Sequence, residues 1–95
     1  SSIAIYGTGE FAELIYLGLK ELGIEEVDIF ASESFEGNKF LGMPVRNIAA
    51  MQPEYYDRVI VGDLDSTKDS RTKLRAHGVT LEQLVTLLSN GKENV

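Results

Sequence analysis

The chain has 95 residues, of which 43 % are hydrophobic, and its formal net charge is −6. This length allows one domain with a single core, and no apolar run reaches the roughly 18 residues that a membrane-spanning helix needs. Nucleic-acid phosphates attract positive surfaces, so we expect no direct contact with nucleic acid from so acidic a chain. Cysteine is absent, which excludes disulfides and thiolate metal sites and favours a reducing, cytoplasmic setting.

The start of the sequence suggests one domain cut from a longer protein, or a processed chain. The chain starts with two serines and runs straight into a strand pattern, without an initiator methionine or a signal peptide. We expect residues 1–90 to form the domain and residues 91–95 (GKENV) to be a loose tail.

The first third of the sequence predicts a strand, a helix and a second strand. Residues 3–6 (IAIY) are nearly all apolar, as is typical of a strand that is covered on both faces. Between residues 10 and 22, apolar side chains recur every three or four positions, which indicates an amphipathic helix. Gly23 is placed to end that helix, and residues 27–31 (VDIFA) predict the second strand.

A polar loop, residues 32–38, precedes the segment KFLGMPVRN. Gly42 and Pro44 predict a turn followed by a short strand around Val45. Proline cannot donate to a strand ladder, so we expect this strand at one edge of the sheet. Asn47 is placed to cap a short helix, IAAMQ, that ends before a proline.

The last third predicts a strand, a helix and a final strand. Residues 58–62 (RVIVG) form a clear strand pattern. A helix capped by Asp65 or Ser66 then runs to about His77 and ends at Gly78. Residues 84–88 suit either a helix or a strand, and we favour the strand.

Strands that alternate with helices predict an α/β fold with a parallel sheet. Right-handed crossovers then give a three-layer, Rossmann-like, doubly wound sheet of about five strands in the order 3-2-1-4-5. In this order, the turn after the first strand and the loop after residues 58–62 meet in one crevice. Ligands of such sheets bind there, at the carboxyl ends of the strands.

The turn Gly7-Thr8-Gly9-Glu10-Phe11-Ala12 is a variant of the dinucleotide-binding G-x-G-x-x-G fingerprint, with alanine at the third small position. Gly7 permits a tight turn, and Gly9 leaves room for a pyrophosphate beside the backbone. Ala12 allows the helix to pack close to the sheet, and free N–H groups at the helix start can hold an anion. The alternative is that both glycines serve only the turn.

Two residues disfavour NAD as the ligand. The fingerprint requires an acidic residue after the second strand, to hold a ribose hydroxyl, and Ser32 stands there instead. Glu10 lies on the helix N-terminus, where its carboxylate competes with a phosphate for the positive end of the helix dipole.

Several segments occur in the order of a known pattern: IYGTGEFAELIYLGL, VDIFASES, GNKFLGMPV, YDRVIVGD and RTKLRAHGV. In these segments the chain resembles the small Rossmann-like domain, of NAD(P)- or nucleotide-sugar-binding type, in bacterial polysaccharide- and sugar-modifying proteins. Similar domains begin nucleotide-sugar acetyltransferases and dehydratases, and others are attached to methyltransferases. In acetyltransferase relatives the domain holds a UDP-sugar, and the resemblance implies that role for Gly7, Gly9, Ser32 and the loop after Gly62. The catalytic machinery of those enzymes lies in other domains.

The leading hypothesis is a non-catalytic module that binds a nucleotide or nucleotide-sugar within a larger bacterial protein linked to polysaccharide biosynthesis. We expect Gly7, Thr8 and Gly9 at the phosphates, and Ser32 at the ribose or base. Asp63, Ser66 and Thr67 are expected at the sugar end. The complete set of predicted site residues is Gly7, Thr8, Gly9, Glu10, Phe11, Ser32, Gly62, Asp63, Ser66 and Thr67.

Two alternatives stay open. Similar domains follow a DNA-binding winged helix in regulators of surface-polysaccharide genes, so the chain could be the sensor domain of such a regulator. It could also be a structural or dimerisation module with an empty crevice. We expect no catalysis by the domain alone, because a single histidine and no cysteine provide no evident nucleophile–base pair. Asp63 and Asp65 have the spacing of a D-x-D metal motif, but the favoured interpretation is that Asp65 caps the next helix and Asp63 is a solvated loop residue.

Overall fold

The computed structural model describes residues 2–32, 39–62 and 67–86. These residues form six strands, two α-helices and two 3-10 helices. In chain order they are β1 (Ser2–Tyr6), α1 (Glu10–Glu21), β2 (Glu26–Ala31), β3 (Lys39–Phe40), β4 (Met43–Asn47), 3-10 helices at Ile48–Ala50 and Pro53–Tyr55, β5 (Arg58–Val61), α2 (Thr67–His77) and β6 (Leu84–Val85).

The strands form one sheet in the order β3-β4-β2-β1-β5-β6. All neighbouring strands are parallel except β3, which pairs antiparallel with β4. The predicted α/β class with a largely parallel sheet is therefore confirmed. The sheet has one strand more than the five or so predicted, because β3 and β4 form a hairpin in place of a simple turn. The final strand is present at Leu84–Val85, and residues 87 and 88 lie outside the described residues.

The expected edge position of the Pro44 strand is wrong. β3 lies outside β4, and Pro44 pairs with Lys39 there. The hairpin loop is Leu41-Gly42, with positive φ angles of 51° and 85°, the signature of a tight type I′ turn. Pairing with β2 begins only at Val45, so the missing N–H of Pro44 precedes the parallel ladder and leaves it intact.

The two faces of the sheet carry separate cores. Successive residues of a strand point to opposite faces, which explains why β1, β2 and β5 are apolar almost throughout. The core on the α1 face contains Ile3, Ile5, Val27, Ile29 and Ile60, with Ala12 from α1. The core on the α2 face contains Ala4, Tyr6, Phe30, Val59 and Val61, with Leu74 from α2. The helices therefore cover opposite faces.

Both helices end at the predicted glycines. Gly23 and Gly78 have φ angles of +85° and +114°, which side chains rarely adopt. After α1, the N–H of Ile24 donates to the carbonyl of Leu19, and the N–H of Gly23 donates to the carbonyl of Lys20. This is the Schellman pattern, which satisfies carbonyls that the helix end leaves without partners.

The connection between β4 and β5 contains no α-helix. The short helix predicted for residues 48–52 is a single 3-10 turn at Ile48–Ala50, and its start is confirmed because the side chain of Asn47 accepts from the N–H of Ala49 at 2.8 Å. A second 3-10 turn follows at Pro53–Tyr55. In the described ranges, no helix is long and apolar enough to cross a membrane.

Candidate functional site

The candidate site lies where the central strand β1 ends. β1 has β2 on one side and β5 on the other, so the turns after these parallel strands reach the same edge of the sheet. Gly7 follows β1 with a φ of +127°, a conformation that excludes almost every residue except glycine. Its N–H donates to the carbonyl of Phe30 at 2.9 Å, which ties the turn to β2.

Gly9 has no structural need to be glycine. Its φ of −84° and ψ of −170° are open to any residue. A Cβ atom added there would meet nothing within 4 Å. Gly9 is the N-cap of α1, and its carbonyl accepts from the N–H of Glu13 at 3.1 Å. Serine or aspartate is preferred at an N-cap, so the fold would be served better by another residue.

Among the residues that the structure describes, no side chain caps the first turn of α1. The first N–H groups of a helix have no intrahelical partner, and together with the helix dipole they attract anions. Glu10 is exposed beside them, and Thr8 and Phe11 are half-buried. The helix start can therefore accept a negatively charged group, with the Glu10 carboxylate as a competitor.

Gly62 has a packing role that was not predicted from the sequence. It is buried at the end of β5, and its N–H donates to the carbonyl of Tyr6 at 2.8 Å. A Cβ atom on Gly62 would lie 2.9 Å from the Cβ and 3.1 Å from the Cα of Ala12, and 3.3 Å from Cγ2 of Ile5. Glycine at 62 thus lets α1 sit directly on β5. The sequence predicts that Ala12 lets α1 pack close to the sheet. This prediction is confirmed, and the sheet residue next to Ala12 is Gly62.

The other predicted site residues are only partly described. Ser32 is half-buried directly after β2, at the same edge of the sheet as the glycine turn. Thr67 is the first residue of α2. Asp63 and Ser66 lie outside the described residues, as does Asp65. The structure therefore brings the glycine turn and the start of α1 together with Gly62 and Ser32.

His77 serves the fold at a different place. Its ring Nε2 lies 2.7 Å from the main-chain oxygen of Met51. A carbonyl oxygen only accepts, so Nε2 carries the proton and donates. The bond connects the last turn of α2 to the end of the first 3-10 helix. No group of three or more histidine, aspartate or glutamate residues in the described ranges could hold a metal ion.

A polar pair on the α2 face of the sheet was not predicted from the sequence. The hydroxyl of Tyr56 donates to Oδ2 of Asp28 at 2.6 Å. Burial, followed by this hydrogen bond, raises the pKa of the Tyr56 hydroxyl well above its ordinary value, and the charge of Arg46 opposes the shift. The available signal was Asp28 itself, a charged residue inside the apolar strand VDIFA. Tyr56 is buried and its neighbour Tyr55 is exposed.

Comparison of the chain with protein-family models, with curated proteins and with solved structures gives no match. The fold and the site together define a small α/β domain with a glycine turn and a helix start, with glycine as its N-cap, at the carboxyl end of its central strand.

Proposed function

We propose that the chain is a non-catalytic module that binds a nucleotide or nucleotide-sugar within a larger protein, and that its fold is Rossmann-like. The order of the five parallel strands, β4-β2-β1-β5-β6, supports a doubly wound sheet with its switch point at β1. The resemblance to domains of polysaccharide-modifying proteins supports the ligand class.

The main support for the proposal is the presence of glycine at position 9. Its backbone conformation and its surroundings accept any side chain, and helix capping favours a residue other than glycine. A ligand phosphate explains the glycine, because a side chain there would stand between the phosphate and the first N–H groups of α1. Glu10 is exposed, so water screens its carboxylate and weakens its competition with the phosphate.

The remaining roles follow the resemblance. Gly7, Thr8 and Gly9 contact the phosphates, and Ser32 faces the ribose or base. Asp63, Ser66 and Thr67 are assigned to the sugar end from the sequence alone. Gly62 contributes indirectly, by holding β5 against α1.

The matched variants Gly9→Asp and Gly18→Asp test this proposal. Both add one negative charge to α1, and at both positions a Cβ meets nothing within 4 Å. Calorimetry and thermal shift with UDP, UDP-sugars, NAD and coenzyme A would measure binding. We expect Gly9→Asp to weaken binding at least about tenfold, a loss of about 1.4 kcal/mol. In the absence of ligand it should stabilise the fold by a few tenths of a kcal/mol through capping.

Gly18→Asp should leave the affinity within about twofold of the unmodified chain, since it lies two turns further along α1. The proposal fails if none of the compounds binds the unmodified chain. It also fails if Gly9→Asp and Gly18→Asp have the same affinity.

The exposed side of α1 favours a second candidate, an assembly module. Leu14 and Leu17 are 66 % and 52 % exposed, and they lie one turn apart on the same side of the helix. Exposed apolar patches mark contact surfaces. Sedimentation of the chain with Leu14→Lys and Leu17→Lys tests this alternative: an assembly module dissociates on these changes whether or not a nucleotide is present.

A further inference from the structure

The hydrogen-bonded pair of Asp28 and Tyr56 borders a cavity of about 340 Å³. The cavity lies on the α2 face of the sheet, away from the glycine turn. Asp28 of β2 shares this face with its register partner Ala4, and Arg46 of β4 shares it with Phe30. The lining residues are Asp28, Arg46, Ala50, Gln52, Tyr55 and Tyr56.

The short connection between β4 and β5 explains why this cavity is open. Parallel strands are usually joined by a crossover of a dozen or more residues that contains an α-helix, which covers the sheet. Here ten residues (48–57) cross over with two 3-10 turns. Met51 and Tyr56 of this connection pack into the core on the α2 face, whereas Ala50, Gln52 and Tyr55 line the cavity beside Asp28 and Arg46.

Asp28 is held in a fixed place by its hydrogen bond with Tyr56. Its neighbours Val27 and Ile29 are buried, whereas Asp28 is half-buried with a carboxylate that must be kept hydrated or bonded. Tyr56 supplies one bond and is itself fixed: its ring packs against Phe30 at 5.8 Å, and its carbonyl accepts from the side chain of Gln83 at 2.7 Å. The carboxylate is therefore preorganised at the wall of the cavity.

Positive and negative side chains lie on different sides of the cavity. Arg46 is exposed on one wall, and no salt bridge between described residues joins it to Asp28. A second cavity of about 170 Å³ shares Asp28 with the first and is also lined by Glu25 and Glu26. The lining of the two cavities is thus negatively charged at the start of β2 and positively charged at Arg46. The exposed ring of Tyr55 lines both cavities.

We propose that this cavity is a second binding site, for a small zwitterion of the α-amino acid class. Arg46 binds the carboxylate, since its planar guanidinium matches the two oxygens. Asp28 binds the ammonium group, and the ring of Tyr55 contacts the side chain. The volume lies at the lower end of small-molecule pockets, roughly 300 Å³ and above, which suits a single amino acid better than a nucleotide.

Titration of the ¹⁵N-labelled chain with each of the common amino acids, followed by NMR, tests the proposal. We expect at least one amino acid to shift the amide signals of Asp28, Arg46, Gln52 and Tyr55. Its N-acetyl derivative and its amide should bind at least about tenfold more weakly, because each lacks one of the two charges.

Three variants locate the site. Arg46→Gln should weaken binding at least about tenfold by removing the partner of the carboxylate. Asp28→Asn should have a similar effect while it retains an oxygen that accepts from Tyr56, so the fold is kept. Arg58→Gln is the matched control: it removes the same charge from an exposed arginine on β5 and should leave affinity unchanged.

The proposal is overturned if no amino acid shifts these signals at millimolar concentrations. It is equally overturned if the N-acetyl derivative binds as well as the free amino acid, or if Arg46→Gln and Arg58→Gln bind alike. Gly9→Asp should not affect this site, so the nucleotide proposal and this one can fail separately.

Discussion

Replacement of Gly62 by alanine gives the sharpest test of the packing between α1 and β5. The new Cβ would lie 2.9 Å from the Cβ of Ala12 and 3.3 Å from Cγ2 of Ile5. Ala12 has no rotatable side chain that could move aside, and both neighbours are fully buried. Relief therefore requires the whole start of α1 to move, and overpacking of this kind costs about 1 to 3 kcal/mol.

In a domain of this size each kcal/mol lowers the melting temperature by about 4 to 8 °C. We therefore expect Gly62→Ala to melt roughly 5 to 20 °C below the unmodified chain in a calorimetric scan without ligand. Gly9→Ala is the control, since its Cβ meets nothing within 4 Å, and it should shift the midpoint by only a few degrees.

A double-mutant cycle separates this clash from other effects. Ala12→Gly alone costs about 1 kcal/mol of helix propensity. Combined with Gly62→Ala, it removes the 2.9 Å contact, so the double variant should be more stable than the sum of the single losses by about 1 kcal/mol. Strict additivity would refute the clash, as would an unshifted melting temperature for Gly62→Ala.

Three further changes probe single contacts. Tyr56→Phe should cost about 1.5 kcal/mol in urea unfolding at pH 7, because it removes a hydrogen bond to a carboxylate. Since the folded-state pKa of Tyr56 is raised above its ordinary 10.0, its stabilisation is complete below pH 10 and is lost as the pH rises toward the folded pKa. In urea titrations at alkaline pH, Tyr56→Phe should lower the free energy of unfolding by less than it does at pH 7. An equal loss of stability at both pH values would contradict the raised pKa that burial gives Tyr56. Leu41→Asn should stabilise the hairpin by about 0.5 to 1 kcal/mol, because asparagine tolerates positive φ; a lower melting temperature would count against the type I′ turn. Asn47→Ala should cost about 1 kcal/mol by thermal melting, and no change would mean that the cap contributes nothing.

The elements that could be predicted from sequence are those with strong local signals. Gly23 and Gly78 end their helices because few other residues adopt positive φ without strain. The β3–β4 hairpin was not predicted because Leu41, at the first turn position, is not a residue that normally adopts a φ of 51°. The proline rule for edge strands failed at Pro44 because pairing with β2 starts one residue later.

The sequence predicts where in the fold the candidate site lies, but it does not predict the separate roles of its glycines. A glycine turn after a buried strand identifies the carboxyl edge of the sheet, but the pattern does not separate a glycine that the backbone requires from one that it tolerates. Gly7 belongs to the first kind and Gly9 to the second. The bond between Asp28 and Tyr56 joins residues 28 positions apart, and no local pattern encodes such a distance.

The central place of β1 has a consequence for synthesis on the ribosome. One side of β1 meets β2 nearby in sequence, where Ser2 bonds to Glu26 at a separation of 24 residues. On the other side of β1, Ser2 bonds to Asp57, just before β5, at a separation of 55 residues. At about 5 to 20 residues per second, the second partner is synthesised roughly 3 to 11 s after the strand itself. For that time the nascent chain carries an apolar strand with at least one unpaired edge, the kind of surface that invites aggregation and chaperone binding.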